Sequence, residues 1–332
     1  MVPKSLFILS KDRFGDIYGP DELTEIQAMT DLLSDQPMNR TEALENPALL
    51  AECEIIFSGW GGPKMDAAFL AAAPQLKAVF YGAGSVKGII SDAFWERGIV
   101  LTSSWGANAV PVAEFTLAQI LFSLKQGWRH MRTTRETQRR SATLPVAGAY
   151  GSTVAIISLG MIGRMVCEHL QRFDLKVIAY DPFAKAVDAA ALGARLCSLE
   201  DCFREADVVS LHAPWLPETE NMITGAHFAI MKDGATFINT ARGAIVDEAA
   251  MIAVLEKRPD LTVLLDVTYP EPPVVGSPLY ALPNVFLTPH IAGSMGGECR
   301  RMGQYAINEC RRFLSGESLH WQITRELAAR MA

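Results

Sequence analysis

The sequence predicts an α/β protein built around two parallel sheets, and three observations carry the prediction. Short apolar runs recur along the chain, separated by segments of helical length, which is the pattern of parallel strands joined by crossover helices. The series occurs twice, with a long apolar helix candidate between the two copies. With 332 residues, 49% of them hydrophobic, the chain can supply a core for each copy.

In the first series, residues 5–9, 55–57, 76–80 and 99–101 read as strands, and residues 21–33 and 66–73 as helices between them. The run at residues 5–9 is too short for a signal peptide and fits a first strand, so no targeting segment is expected. A helix is predicted to start at Pro111, because proline suits a first helical turn, and to continue to about Met131 with Phe115, Ala118 and Phe122 along one face. The basic stretch 129–140 then reads as a solvated helix face. Residues 141–163 carry no charge, yet Pro145, Gly148 and Gly151 interrupt them, so a loop and a buried strand are expected instead of a membrane span.

The second series has six strand candidates, at residues 153–159, 176–180, 208–211, 236–239, 263–266 and 285–287. Their continuous apolar runs fit strands covered on both faces. The expected architecture is therefore two Rossmann-like or flavodoxin-like domains with parallel sheets. One comprises residues 1–110 and 300–332, the other residues 111–299, with a cleft between them. A net charge of −7 without long runs of like charge predicts no nucleic-acid or membrane partner. Six cysteines without a CxxC pair predict reduced thiols in a cytoplasmic protein and no metal site.

Where the first strand of the second series ends, Ser158-Leu159-Gly160-Met161-Ile162-Gly163 matches GxGxxG with serine for the first glycine. Such a turn lets backbone approach a pyrophosphate at a helix N-terminus. Asp181 closes the next strand 18 residues after Gly163, close to the spacing of the carboxylate that receives ribose hydroxyls. It is also a natural turn former before Pro182. No arginine stands among Pro182, Phe183 and Ala184, and Lys185 is the only nearby cation, so NAD is expected in preference to NADP.

Three residues at later strand ends carry chemistry. Arg242 lies in a turn with Gly243, where its planar fork suits a carboxylate, although Asp247 or Glu248 could pair with it instead. His290 follows Pro289, and Glu271 lies in the Pro270-Glu271-Pro272-Pro273 loop. A carboxylate partner would fix the imidazole tautomer and stabilise the imidazolium, whereas alone each would be an ordinary structural or loop residue.

The words Asn239-Thr240-Ala241-Arg242-Gly243, Pro270-Glu271-Pro272 and Thr288-Pro289-His290, in this order, resemble the D-isomer-specific 2-hydroxyacid dehydrogenase family over nearly the whole chain. The resemblance implies that Arg242 holds the substrate carboxylate, that His290 is the general acid–base and that Glu271 orients it. It implies a substrate loop at Ala83, Gly84 and Ser85, and cofactor contacts from Met161, Ile162, Ala213, Thr240, Ala241, Asp266 and Asn108. Trp60 is either a pocket wall or an aromatic packing a loop base. Ser158, Lys87 and Trp105 depart from the family pattern. The implied activity is NAD-dependent interconversion of a 2-oxo acid and a D-2-hydroxy acid by a homodimer. Two alternatives stand beside it: a formate-type dehydrogenase, against which Glu271 argues, and an NAD(H)-sensing, corepressor-like protein.

Overall fold

The structure, a computed structural model, describes residues 2–140 and 147–331 and forms two compact units. The first comprises residues 1–109 and 294–332, the second residues 110–293. The return crossing thus lies six residues before the expected position 300, at the turn that follows His290. The part of the uncharged stretch at residues 141–146 lies outside the described residues.

The first unit holds five parallel strands: β1 (Lys4–Ile8), β2 (Asp31–Leu32), β3 (Ile55–Ser58), β4 (Ala78–Tyr81) and β5 (Val100–Ser103), in the order β2-β1-β3-β4-β5. Their apolar side chains are buried on both faces. Leu6, Ile8, Ile56 and Val79 pack on one side, Phe7, Ile55, Phe57 and Phe80 on the other. Edge strand β2 was not anticipated, because two residues paired on one side carry no readable periodicity.

The second unit holds seven parallel strands: β6 (Thr153–Ile157), β7 (Lys176–Tyr180), β8 (Ala194–Leu196), β9 (Val208–Leu211), β10 (Thr236–Asn239), β11 (Thr262–Leu265) and β12 (Val285–Leu287). Their order, β12-β11-β10-β9-β6-β7-β8, reverses direction between β6 and β9. In a doubly wound sheet, ligands bind outside the carboxyl ends of the strands at that reversal. Alternate residues of β6 separate cleanly: Val154 and Ile156 enter one core, Ala155 and Ile157 the other. The seventh strand, β8, is again a short edge strand that the apolar pattern did not reveal.

The long helix begins at Trp105, not Pro111, and runs to Leu124 with Pro111 inside it. Its first turn is already closed by the Asn108 N–H donating to the Ser104 carbonyl at 3.1 Å, so proline is not needed to start it. It also stops short of Met131. Gln126 takes a left-handed φ of 48° and a separate helix, Gly127–Thr137, follows. That second helix has no buried residue, as a solvated basic face requires.

Candidate active site

The turn after β6 is built as a cradle. Ser158 adopts φ = 78°, a region that glycine enters freely and that costs other residues local strain, so the turn survives the substitution. Gly160 caps the helix Met161–Leu170 without any side-chain bond, which leaves the first-turn amides without internal acceptors. A Cβ on Gly160 would meet nothing nearer than Ser158 Oγ at 3.9 Å, so the surface there is open to a phosphate. A Cβ on Gly163 would fall 2.1 Å from the Ser158 carbonyl oxygen, so packing of the helix on the turn requires glycine.

Asp181 stands beside this cradle. Its Oδ2 accepts from the Leu159 N–H at 2.7 Å and from the Ser158 hydroxyl at 3.4 Å, and its Oδ1 accepts from Phe183 and Ala184 N–H at 2.8 and 3.0 Å. It is therefore the turn former that its place before Pro182 suggests, and it also ties the ends of β6 and β7 together. Buried Ala213 follows β9, whose end is joined to β6 by His212 N–H donating to the Ile157 carbonyl at 2.9 Å. An open amide cradle with a carboxylate at the next strand end fits a dinucleotide with free ribose hydroxyls.

Arg242 owes its position to Asn239 and Gly243. The Asn239 amide donates to the Arg242 carbonyl at 3.0 Å and accepts from Ala241 N–H at 2.9 Å, closing the turn after β10. A Cβ on Gly243 would lie 2.0 Å from the Thr268 carbonyl carbon, so only glycine lets this turn rest on the loop that carries Glu271. Burial lowers the Arg242 pKa, and the Glu271 carboxylate opposes the shift; the guanidinium stays charged at any working pH. Thr240 is buried, with its hydroxyl 3.2 Å from that of Thr116.

His290 and Glu271 meet directly. Nδ1 lies 2.7 Å from Glu271 Oε1, with the two side chains 48% and 40% exposed, so the pair faces solvent while holding one geometry. Among the described residues Nε2 has no partner. His290 itself has φ = 56°, a left-handed conformation uncommon for histidine. Asp266, buried at the end of β11, holds the segment there. Its carboxylate accepts from Thr288 Oγ1, Ile291 N–H and Ala292 N–H at 2.6, 2.8 and 2.9 Å. Sequence reasoning missed this clamp, since nothing local to Asp266 marks bonds to residues more than twenty positions away.

The remaining candidates lie in the first unit. Ser103 Oγ donates to the carbonyls of Ala83 and Gly84 at 2.9 and 2.6 Å, fixing the loop after β4. Among the described residues the N–H groups of Gly84 and exposed Ser85 have no acceptor, which is the arrangement an anion-binding loop needs. Asn108 Oδ1 accepts from Ser294 N–H at 2.8 Å, a bond within the first unit. Trp60 packs against both cores of the first unit, with the Arg13 guanidinium 5.7 Å over its ring.

Residues 117–292 match the model of the D-isomer specific 2-hydroxyacid dehydrogenase, NAD binding domain. The chain is 35% identical over 254 residues to the (S)-sulfolactate dehydrogenase of Chromohalobacter salexigens, covering 76% of this chain and 82% of that protein. It is 34% identical over 253 residues to the D-3-phosphoglycerate dehydrogenase of Mycobacterium bovis, covering 76% of this chain and 48% of that protein. The chain thus spans about half the length of the phosphoglycerate dehydrogenases it matches. Among solved structures, the apo D-mandelate dehydrogenase of Rhodotorula graminis aligns with TM-score 0.79 and 26% identity over 98% of both chains. The group that the cradle fits is NAD.

Proposed function

Because this chain belongs to the D-isomer-specific 2-hydroxyacid dehydrogenase family, we propose that it interconverts a 2-oxo acid and the corresponding D-2-hydroxy acid. One observation carries the reading: the His290–Glu271 pair at 2.7 Å, on the same carboxyl edge as Arg242. Gly160, Met161, Ile162, Gly163 and Asp181 would hold NAD, with Ala213, Thr240, Ala241 and Asp266 further along the same edge, and NAD would supply the hydride chemistry when bound.

The protein's own residues move the proton. An ionised Glu271 only accepts hydrogen bonds, so it keeps a hydrogen on His290 Nδ1 and leaves Nε2 as the working nitrogen. During reduction Nε2–H gives its proton to the carbonyl oxygen as negative charge develops there; during oxidation Nε2 takes the hydroxyl proton. Glu271 stabilises the imidazolium form in both directions. Arg242 binds the substrate carboxylate through its fork and stabilises the developing alkoxide.

A formate-type reaction makes carbon dioxide, which has no new hydroxyl to protonate, and would leave the pair idle. A cofactor-sensing protein would bind NADH without turnover. NADH oxidation against glyoxylate, hydroxypyruvate, pyruvate and phenylpyruvate, with formate oxidation in parallel, distinguishes the three. The dehydrogenase reading requires turnover of at least one 2-oxo acid and fails if none reacts.

We also propose a homodimer formed through the long-helix region, where Phe122 and Met131 are 39% and 59% exposed; its mass in solution tests this. Six free cysteines support a reducing, cytoplasmic location, testable by fractionation.

A further inference from the structure

The loops after β9 and β11 bring together two aromatic side chains that the chemistry above does not use. Trp215 and Tyr269 meet edge to face, with ring centroids 5.3 Å apart and planes at 65°. Both are exposed, Trp215 to 36% and Tyr269 to 55%. Aromatic rings that hold a defined geometry at the surface offer a rigid apolar wall to a ligand.

The wall's neighbours locate it. Tyr269 directly follows Thr268, on whose backbone the Arg242–Gly243 turn rests. It precedes Pro270 and Glu271, the carboxylate that holds His290. Tyr269 therefore belongs to the short segment between Thr268 and Glu271, and Trp215 reaches it from the loop after β9, both loops lying on the carboxyl edge of one sheet.

Both residues bond to carboxylates. Trp215 Nε1 donates to Glu220 Oε2 at 3.3 Å, and Tyr269 N–H reaches Glu248 Oε2 at 3.4 Å. A phosphate or sulfonate on the substrate would meet carboxylates there. An uncharged ring or branched chain would cover apolar surface and lose no ionic hydration.

We infer that Trp215 and Tyr269 receive the side chain of the 2-oxo acid, so that the preferred substrates carry an uncharged aromatic or bulky apolar group. This inference rests on the dehydrogenase reading and specifies its substrate class. Trp215 and Tyr269 are specificity residues that leave the proton transfer itself to His290.

The test compares kcat/KM for phenylpyruvate, glyoxylate and 3-phosphohydroxypyruvate in the wild-type protein and in Trp215→Ala, Tyr269→Ala and Trp215→Phe, with NADH affinity measured in each to confirm an intact fold. Phenylpyruvate is expected to be the best of the three. The ratio of phenylpyruvate to glyoxylate kcat/KM should fall by roughly 10-fold or more in each alanine variant, the size of effect one apolar pocket contact gives. The loss should appear chiefly in KM, and Trp215→Phe should keep most of the preference. If no 2-oxo acid reacts, the dehydrogenase reading falls and this inference with it. If 2-oxo acids react but glyoxylate or the phosphorylated acid is preferred, or the ratio stays within about 2-fold in both alanine variants, far below a pocket contact, the inference alone is overturned.

Discussion

Asp266 fixes the backbone on both sides of His290 without bonding to its ring. The His290 N–H donates to the Asp266 carbonyl at 2.9 Å, while the Asp266 carboxylate takes Thr288 on one side and Ile291 and Ala292 on the other. A left-handed histidine needs such enforcement, because the conformation is unfavourable for a side chain with a Cβ. Asp266→Asn would turn an amide donor toward one of these donors. It should cost about 1–3 kcal/mol of stability in denaturant unfolding, and lower kcat as His290 loses its fixed place. Unchanged stability would contradict the clamp.

The dyad itself predicts a graded loss. Removing the acid–base in His290→Ala should reduce turnover of a competent 2-oxo acid by roughly 10²- to 10⁴-fold. Glu271→Gln keeps a hydrogen-bonding side chain but no negative charge for the imidazolium, so a smaller loss is expected. Steady-state kinetics on both variants checks the order, which fails if Glu271→Gln is the more damaging.

Two changes in the phosphate turn should act in opposite directions. Ser158→Gly relieves a left-handed residue worth about 1–2 kcal/mol, against a glycine entropy cost of about 0.4–1 kcal/mol, so the denaturation midpoint should rise slightly. Gly163→Ala drives a Cβ to 2.1 Å from the Ser158 carbonyl oxygen and should weaken both folding and NADH binding. Calorimetric melting and NADH titration separate the two outcomes.

Acid stability should depend on His212. Its Nε2 lies 2.9 Å from Ser210 Oγ, its Nδ1 is buried without a partner among the described residues, and burial lowers its pKa to about 3. Above the unfolded value of about 6.5 the ring is neutral in both states and contributes no pH dependence. As pH falls from there toward the folded value, the unfolded chain takes up a proton that the folded protein refuses, and stability drops by up to about 1.4 kcal/mol per pH unit. Unfolding at pH 7 and pH 5 should show a shallower decline for His212→Asn than for the wild-type protein.

Much of this was legible in the sequence, for identifiable reasons. Strands β7, β9, β10 and β12 appear at the expected residues, because strands buried on both faces must be continuous apolar runs. Arg242, Glu271 and His290 stand out as candidates by residue chemistry in the turns and loops that follow strands, and the structure joins Glu271 to His290. The helix start was misread because Pro111 looks like a first-turn residue, whereas the turn is closed earlier, from Ser104 to Asn108. The Asp266 clamp, the Asn239 turn and the Trp215–Tyr269 wall were not legible. Each depends on loops meeting through the register of β9, β10, β11 and β12, which no local pattern encodes.

The most direct test measures NADH affinity and single-turnover NADH oxidation by a 2-oxo acid in the wild-type protein and in His290→Ala. Both proteins should bind NADH with similar affinity; the wild-type protein should form the D-2-hydroxy acid, and the variant should be slowed by roughly 100-fold or more. Equal rates in the two proteins, or formation of the L-enantiomer, would contradict the account.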